Sequence, residues 1–280
     1  MFGFFESKPV EPQVTHSDDM PTLTGWRPFK VMHRQEACAN TILLTLMPAD
    51  DLPLPPFRPG QSVALRLPGL DPRAYTLCST HEEGFYRLCI KMFEGDRGEL
   101  SSLICRTLHV GEHVDISEPF GGFLLKDAET PVVMIAEGIG ITPMVAMLSS
   151  IATDHPLRRV HMIYVTKNGD TFPLRDETKQ LMHLIPDSGL AVGYTDPRPD
   201  DHLGQDYQFT GKLMPATLRT ACLDPTADVY LCGSQSFVED VQSMILQYRT
   251  IPADHIHSQI FVRNHFFRSH LNLFSPGKNT

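Results

Sequence analysis

The stretch PVVMIAEGIGITPMVAMLSS, residues 131–150, joins one apolar run to another through a short loop that holds two glycines. The run PVVMI predicts a buried strand, and the run VAMLSS predicts a helix with Pro143 in its first turn. Gly138 and Gly140 are typical of a loop that follows a strand and approaches a phosphate or nucleotide. The pattern is not the full GxGxxG fingerprint, because Pro143 stands in place of the third glycine.

Strand-like and helical runs alternate through the rest of the second half of the chain. Strands are predicted at residues 159–166, 189–194 and 227–233, and helices at 174–185, 212–221 and 237–248. This alternation predicts an α/β doubly wound parallel sheet, whose ligands lie at the carboxyl ends of its strands.

The first half of the chain follows a different pattern. Short apolar-rich runs occur at residues 25–33, 40–48, 61–68, 74–79 and 85–93, and one short helix is predicted at about residues 99–106. Pro and Gly clusters separate the runs, which predicts an antiparallel barrel or sandwich. We place the change of pattern, and with it a domain boundary, near residues 123–131.

Composition limits the classes of function. A chain of 280 residues predicts two domains, and a net charge of -9 argues against a nucleic-acid partner. Six cysteines without a CxxC pair indicate neither a metal site nor an iron–sulfur cluster, so no metal is expected. The N-terminus does not read as a signal peptide, and glycines with Pro143 interrupt the most apolar window. We therefore expect no membrane span and a cytoplasmic location.

The stretch RAYTLCS, residues 73–79, offers groups that a flavin nucleotide needs. On a strand Arg73, Tyr75 and Leu77 share one face, while Thr76 turns to the other. The guanidinium suits a phosphate, the aromatic ring suits the flavin ring, and the hydroxyl suits a ring nitrogen. Taken alone, the stretch also fits an ordinary barrel strand.

Two further stretches are also weak evidence for a cofactor site when each is taken alone. In GDRGELSSLI, residues 95–104, Gly98 and Ser101 lie at a helix start, where either an anion or a simple helix cap is expected. In VYLCGSQSFVEDV, residues 229–241, a strand ends at Cys232 and Gly233. No neighbouring residue in the sequence activates Cys232 as a nucleophile.

Taken in order, these stretches resemble the ferredoxin-NADP reductase-like flavoprotein superfamily, which includes the reductase portions of flavohaemoglobins, cytochrome b5 reductases and oxygenase reductases. The resemblance runs from about residue 26 to 261 and includes PFRPGQSVAL (56–65), RAYTLCS, CIKMFEGDRGELSSLI (89–104), EPFGGFLL (118–125), AEGIGITPM (136–144), FPLRDE (172–177), VYLCGS and IHSQIF (256–261). It implies an antiparallel Greek-key β-barrel that binds flavin, followed by the α/β doubly wound NAD(P)-binding domain. The implied divisions are an extension (1–24), the FAD domain (25–126), the NAD(P)H domain (127–261) and a tail (262–280).

The resemblance also implies residue roles. Arg73 would hold the flavin pyrophosphate, Tyr75 would pack against the flavin, and Thr76 would bond the isoalloxazine near N5. Thr76, Thr142 and Cys232 are the candidates nearest the reacting rings. The full set of cofactor-binding candidates is Arg73, Ala74, Tyr75, Thr76, Ile90, Lys91, Gly98, Leu100, Ser101, Gly138, Gly140, Thr142, Lys167, Cys232 and Gly233.

The implied activity is hydride transfer from a nicotinamide nucleotide to a bound flavin. FAD is expected, with FMN as the alternative. The donor is NADH or NADPH: likeness to the oxygenase-reductase branch favours NADH, while Lys167 offers a weak phosphate partner. The chain shows neither a ferredoxin-type cysteine cluster nor a haem domain, so we expect a separate acceptor such as a ferredoxin, an oxygenase or a haem protein. The alternatives are a free-flavin or ferric reductase, and a docking subunit without turnover.

Glu137 is the least typical residue of this pattern. Most relatives of the oxygenase-reductase type carry Gly there, and others in the superfamily carry Thr. One orientation points the carboxylate towards solvent or a basic partner, which we favour. The other places it beside the nicotinamide, where it would favour the cationic oxidised ring.

Overall fold

The computed structural model describes residues 11–16, 25–50, 52–93, 99–221, 224–248 and 251–261. Gly98 and the predicted tail, residues 262–280, lie outside these ranges. Within the predicted N-terminal extension, Gln13–His16 forms a strand, β1. The bounds proposed for the extension and for the two domains stay predictions.

The first sheet is antiparallel and has six strands. They are β2 (Trp26–Cys38), β3 (Thr41–Pro48), β4 (Ser62–Arg66), β5 (Arg73–Thr76), β6 (Tyr86–Lys91) and β7 (His113–Ser117), in the spatial order β5-β4-β7-β2-β3-β6. Leu77 forms a bridge with Leu88, which brings the chain after β5 back to β6 and closes the sheet into a barrel. Inside, the buried side chains form one apolar cluster, to which helix α1 (Glu99–Thr107) adds Leu100 and Ile104.

The second sheet is parallel and has seven strands. They include β1, β8 (Val132–Glu137), β9 (Val160–Thr166), β10 (Ser188–Tyr194), β11 (Phe209–Thr210), β12 (Asp228–Gly233) and β13 (Ile256–Ile260), in the order β1-β13-β12-β8-β9-β10-β11. The chain runs from β8 to β9 on one side and from β12 to β13 on the other. The order therefore reverses between β8 and β12, the position at which open α/β sheets bind ligands.

Helices cover both faces of the parallel sheet. The helices are α2 (Ile141–Asp154), α3 (Arg175–Leu184), α4 (Pro215–Ala221) and α5 (Gln235–Tyr248). One buried cluster joins α2 and α3 to barrel side chains, among them Leu43, Cys89 and Phe123. A second cluster lies on the opposite face, beneath α4 and α5. This arrangement confirms the predicted fold class, a β-barrel followed by a doubly wound parallel sheet.

A buried carboxylate ties the connection between the two sheets to the start of β12. Asp228 is 2% exposed. Its carboxylate accepts hydrogen bonds from Lys126 Nζ at 2.6 Å, Thr130 Oγ1 at 3.0 Å and His257 Nε2 at 3.1 Å. Burial opposes its ionisation, yet these hydrogen bonds hold the pKa of Asp228 below its ordinary value. Arg158, 1% exposed, donates to the carbonyls of Thr130 and Lys126.

We expect Asp228→Asn to lower the free energy of unfolding by about 2 kcal/mol, because the buried carboxylate loses its charge-assisted hydrogen bonds with Lys126, Thr130 and His257. Urea unfolding at pH 7 measures the loss. The stabilisation that the Asp228 carboxylate provides is complete above its pKa in the unfolded chain, about 4. It disappears as the pH falls towards the lower pKa that Asp228 has in the folded protein. The difference in unfolding free energy between the wild type and the Asp228→Asn variant should therefore narrow below about pH 4.

The matched control is Asp187→Asn, because Asp187 pairs with Arg159 on the surface, with 63% of its side chain exposed. This change should leave stability almost unaltered. An equal loss of stability in the two variants would contradict the role given to Asp228.

Candidate functional site

Strand β5 and the start of α1 form one wall of the predicted flavin site. The Tyr75 hydroxyl and the Ser101 hydroxyl are 2.9 Å apart, so the strand and the helix start are joined by a hydrogen bond. Burial raises the pKa of Tyr75 to about 12, so its phenol is neutral. Arg73 is half-buried on the same strand, and Ser101 is 3% exposed. An aromatic ring, a guanidinium and two hydroxyls therefore converge on this wall.

Thr76 turns to the opposite face of β5, as the strand alternation predicts. Its side chain is 3% exposed, and its hydroxyl lies 3.1 Å from the hydroxyl of Ser62 on β4. The sequence did not single out Ser62, because a serine in an apolar run carries no sign of a partner 14 positions away. The Thr76 hydroxyl thus bonds within the barrel sheet, on the face opposite the one where Leu77 enters the barrel cluster.

The remaining barrel candidates differ in exposure. Ile90 is fully buried, and Leu100 is 2% exposed within the barrel cluster. Ala74 and Lys91 are half-buried, and the Lys91 ammonium lies 5.9 Å from the centre of the Phe93 ring. The side chains of Ile90 and Leu100 therefore hold the barrel together, and only backbone atoms remain for contact with a ligand.

The glycine loop begins directly after β8. Gly138–Gly140 forms a single 3-10 turn that leads into α2, and Pro143 lies in the first turn of that helix as predicted. Gly138 has a φ of +54°, and a Cβ added there would meet nothing within 4 Å, so the loop is bare on that side. The hydroxyl of Tyr164 donates to the Gly138 carbonyl at 2.9 Å, a support that the sequence analysis missed.

Gly140 packs against the end of β12 at the switch point. A Cβ on Gly140 would lie 2.3 Å from the carbonyl oxygen of Cys232, closer than any real contact, so only glycine fits. Cys232 is fully buried, and burial raises the pKa of its thiol well above the ordinary value. Cys232 is therefore a neutral packing residue. Thr142 is 2% exposed, and its hydroxyl donates to the Ile139 carbonyl at 3.1 Å, which shapes the same turn.

Glu137 does not point to solvent or to a basic partner. Its carboxylate reaches across to the start of α5, where it accepts a hydrogen bond from the Ser234 hydroxyl at 2.6 Å and another from the Ser234 backbone N–H at 3.3 Å. The orientation towards solvent or a basic partner that we favoured is therefore wrong. The physical reason is that a carboxylate satisfies free N–H and O–H groups at a helix start.

Charged side chains follow the carboxyl ends of β9 and β10. Lys167 Nζ lies 3.5 Å from Asp196 Oδ2, and both side chains are mostly exposed. Arg198 forms ion pairs with Asp170 and with Asp201, the latter at 3.1 Å. Each of these two cations is thus paired with at least one carboxylate.

A narrow cavity and a larger cleft lie between the barrel and the parallel sheet. A narrow cavity of about 10 Å³ has Lys91 on one side and Gly138 with Ile139 on the other, so the structure brings these predicted site residues together. A larger cleft of about 860 Å³ lies between the β2–β3 hairpin and residues 169–177. Arg87 crosses this cleft to Glu177 with two hydrogen bonds of 2.9 and 2.5 Å. None of the predicted cofactor residues that the structure describes lines the larger cleft.

No group of three or more His, Cys, Asp or Glu side chains in the described ranges is placed to hold a metal ion. No helix in the same ranges is both long and apolar enough to cross a membrane.

Comparison with known proteins agrees with this geometry. Residues 134–243 match the family described as the oxidoreductase NAD-binding domain. Over 246 residues, the chain is 32% identical to the flavohemoprotein of Rhizobium meliloti, an alignment that covers 85% of this chain and 60% of that protein. The chain therefore resembles the ferredoxin-NADP reductase-like superfamily, as its sequence motifs predict. It spans about 60% of the length of the curated relatives of this superfamily that it matches.

Two solved structures resemble this chain over most of its length. The flavohem-like FAD/NAD binding domain of nitric oxide dioxygenase from Vibrio cholerae is 28% identical, with a TM-score of 0.75, over 84% of this chain and 98% of that one. A flavohemoglobin from Malassezia yamatoensis, solved with bound FAD and haem, is 27% identical, with a TM-score of 0.73, over 85% of this chain and 60% of that one.

We expect Gly140→Ala to destabilise the protein by about 2 kcal/mol, because the added methyl group collides with the Cys232 carbonyl. Urea unfolding measures the change. The matched control is Gly122→Ala, since a Cβ on Gly122 would lie 4.0 Å from its nearest neighbour, Thr15 Cγ2. If the two alanine variants are equally stable, the close approach at the switch point is not a constraint.

Proposed function

We propose that the chain is an NADH-dependent flavoprotein reductase that holds FAD on the barrel and passes electrons to a separate haem or iron–sulfur protein. The observation that carries the proposal is the meeting of two sets of residues. The flavin wall of β5 and α1 belongs to the barrel, and the bare glycine loop belongs to the parallel sheet. Lys91, on strand β6 of the barrel, lines the same narrow cavity as Gly138.

The barrel residues fit FAD by the chemistry of their donors. Arg73 would neutralise the pyrophosphate, and the free backbone N–H groups at the start of α1, where Ser101 lies, suit a phosphate oxygen. The Tyr75 side chain is half-buried and is held in place by its bond to Ser101, and the isoalloxazine would stack against its ring. Because the Thr76 hydroxyl is bonded to Ser62, we assign the contact of Thr76 near N5 to its main chain.

The parallel sheet fits a nicotinamide nucleotide at the switch point. Gly138 leaves open space above the loop, and Gly140 lets the loop lie directly on the end of β12. Gly233 and the buried Cys232 form the opposite side of this crevice. We propose that the segment from Gly138 to Thr142 contacts the nicotinamide half of the nucleotide.

Once both groups are bound, the cofactors supply the chemistry, a hydride transfer from the nicotinamide to the flavin. The protein contributes alignment and exclusion of water. Thr142 fixes the loop through the Ile139 carbonyl, and Tyr164 fixes it through the Gly138 carbonyl. Because Cys232 keeps its proton, it offers a neutral surface and takes no part as a nucleophile.

The charges after β9 and β10 favour NADH over NADPH. Lys167, the predicted phosphate partner, is already paired with Asp196, and Arg198 is paired with Asp170 and Asp201. A 2′-phosphate at this edge would therefore meet three carboxylates, whereas a ribose 2′-hydroxyl can donate to one of them. We propose NADH as the donor on this ground.

The proposed acceptor follows from the relatives. The matched relatives are longer than this chain and are named flavohemoproteins, and one solved flavohemoglobin holds both FAD and haem. We propose that this chain passes its electrons to a haem protein or to an iron–sulfur protein. Location in the cytoplasm stays a prediction from the sequence.

The absorption spectrum of the purified protein tests the proposal. We expect a yellow protein that holds one FAD per chain and bleaches without air on addition of one equivalent of NADH. NADPH should bleach it at least tenfold more slowly. A colourless protein that takes up neither FAD nor FMN would refute the proposal, and faster bleaching by NADPH would refute the choice of donor. Rapid loss of FAD on gel filtration would instead favour a free-flavin reductase.

We expect Arg73→Ala to weaken FAD binding by about 1.5–3 kcal/mol, since a charge-assisted contact with the pyrophosphate is lost. Fluorescence titration of the flavin-free protein with FAD measures the affinity. The matched control is Arg66→Ala, because Arg66 lies on neighbouring β4 and pairs with Asp115 at 3.0 Å. Equal FAD affinity in the Arg73 variant and the wild type would contradict the role of Arg73.

A further inference from the structure

The carboxylate of Glu137 is fixed at the switch point. The Ser234 hydroxyl and the Ser234 backbone N–H both donate to its Oε2, across the gap between the ends of β8 and β12. A Cβ on Gly233 would lie 3.0 Å from the Glu137 Cβ, so the stem of the glutamate covers Gly233. The carboxylate therefore forms part of the floor of the crevice in which sheets of this type bind their ligand.

The groups that hold this carboxylate leave its charge in place. The Ser234 hydroxyl and amide are neutral donors, so they orient the carboxylate without forming an ion pair. The N-terminus of α5 offsets part of the negative charge through the helix dipole, an effect that is weaker than a full positive charge. A net negative potential therefore remains at the floor of the crevice.

We propose that Glu137 sets the preference of the nicotinamide site between the oxidised and the reduced nucleotide, an inference that rests on the proposed function. The oxidised nicotinamide ring carries a positive charge, and the reduced ring is neutral. A fixed carboxylate attracts the charged ring and has little effect on the neutral ring. Glu137 therefore strengthens the binding of NAD⁺ relative to NADH. Ser234 is a positioning residue, because it acts only through this carboxylate.

Equilibrium binding to the FAD-loaded protein tests the inference. The probes are NAD⁺ and 1,4,5,6-tetrahydro-NAD, a neutral analogue of NADH that donates no hydride. Glu137→Gln keeps the side-chain length and an oxygen that accepts from Ser234, but it removes the charge. We expect this variant to bind NAD⁺ about fivefold more weakly, the order expected for attraction between charges in a partly solvated site. Its affinity for the tetrahydro analogue should be unchanged.

Two companion variants separate charge from architecture. Ser234→Ala keeps the charge and releases the carboxylate, so its loss of NAD⁺ affinity should be smaller than that of Glu137→Gln. Glu129→Gln is the matched control, because Glu129 lies before β8 and its carboxylate pairs with His155 at 2.7 Å. This control should bind both nucleotides as the wild type does.

The outcomes distinguish the inference from the proposed function. If Glu137→Gln binds both nucleotides with wild-type affinities, or loses affinity for both equally, the inference is wrong and the proposed function stands. If the wild-type protein holds FAD and binds neither nucleotide, the proposed function is wrong and the inference is wrong with it. Only a selective loss of NAD⁺ affinity supports the role of Glu137.

Discussion

The contact between Gly140 and the carbonyl of Cys232 fixes how the ends of β8 and β12 meet. A Cβ on Gly140 would lie 2.3 Å from that oxygen, which is too close for any side chain. The glycine loop therefore lies directly on the neighbouring strand end. Two hydrogen bonds, from Tyr164 to Gly138 and from Ser234 to Glu137, then hold the loop on either side of this contact. The loop at the switch point is therefore held in one position by contacts within the protein.

The barrel is placed relative to this crevice by packing and charge. Barrel side chains such as Leu43 and Cys89 enter the same buried cluster as α2 and α3. The ion pair between Arg87 and Glu177 joins the two units further along the cleft, with two parallel hydrogen bonds that favour one orientation. The glycine loop and Lys91 of β6 thus line one narrow cavity, because the barrel and the parallel sheet share one core.

Much of this fold could be predicted from the sequence, because long apolar strands such as β8 and β9 stand out from their surroundings. The strands that were not predicted are β1, β7, β11 and β13, which are short, and most of their residues are polar. The sequence did not indicate that β13 is buried, because His257, Ser258 and Gln259 are polar although the structure buries them. At the site, the residue types were visible but their partners were not. Ser234 is 97 positions from Glu137, and only the parallel sheet brings the two together.

The central claim is that the crevice between β8 and β12 receives the nicotinamide ring, opposite a flavin held by the barrel. A crystal structure of the protein with FAD and NAD⁺ tests this claim most directly. The account predicts the flavin against Tyr75 and the nicotinamide between the loop Gly138–Gly140 and Gly233. A nicotinamide ring bound instead in the larger cleft, beside the β2–β3 hairpin and Arg198, would contradict it.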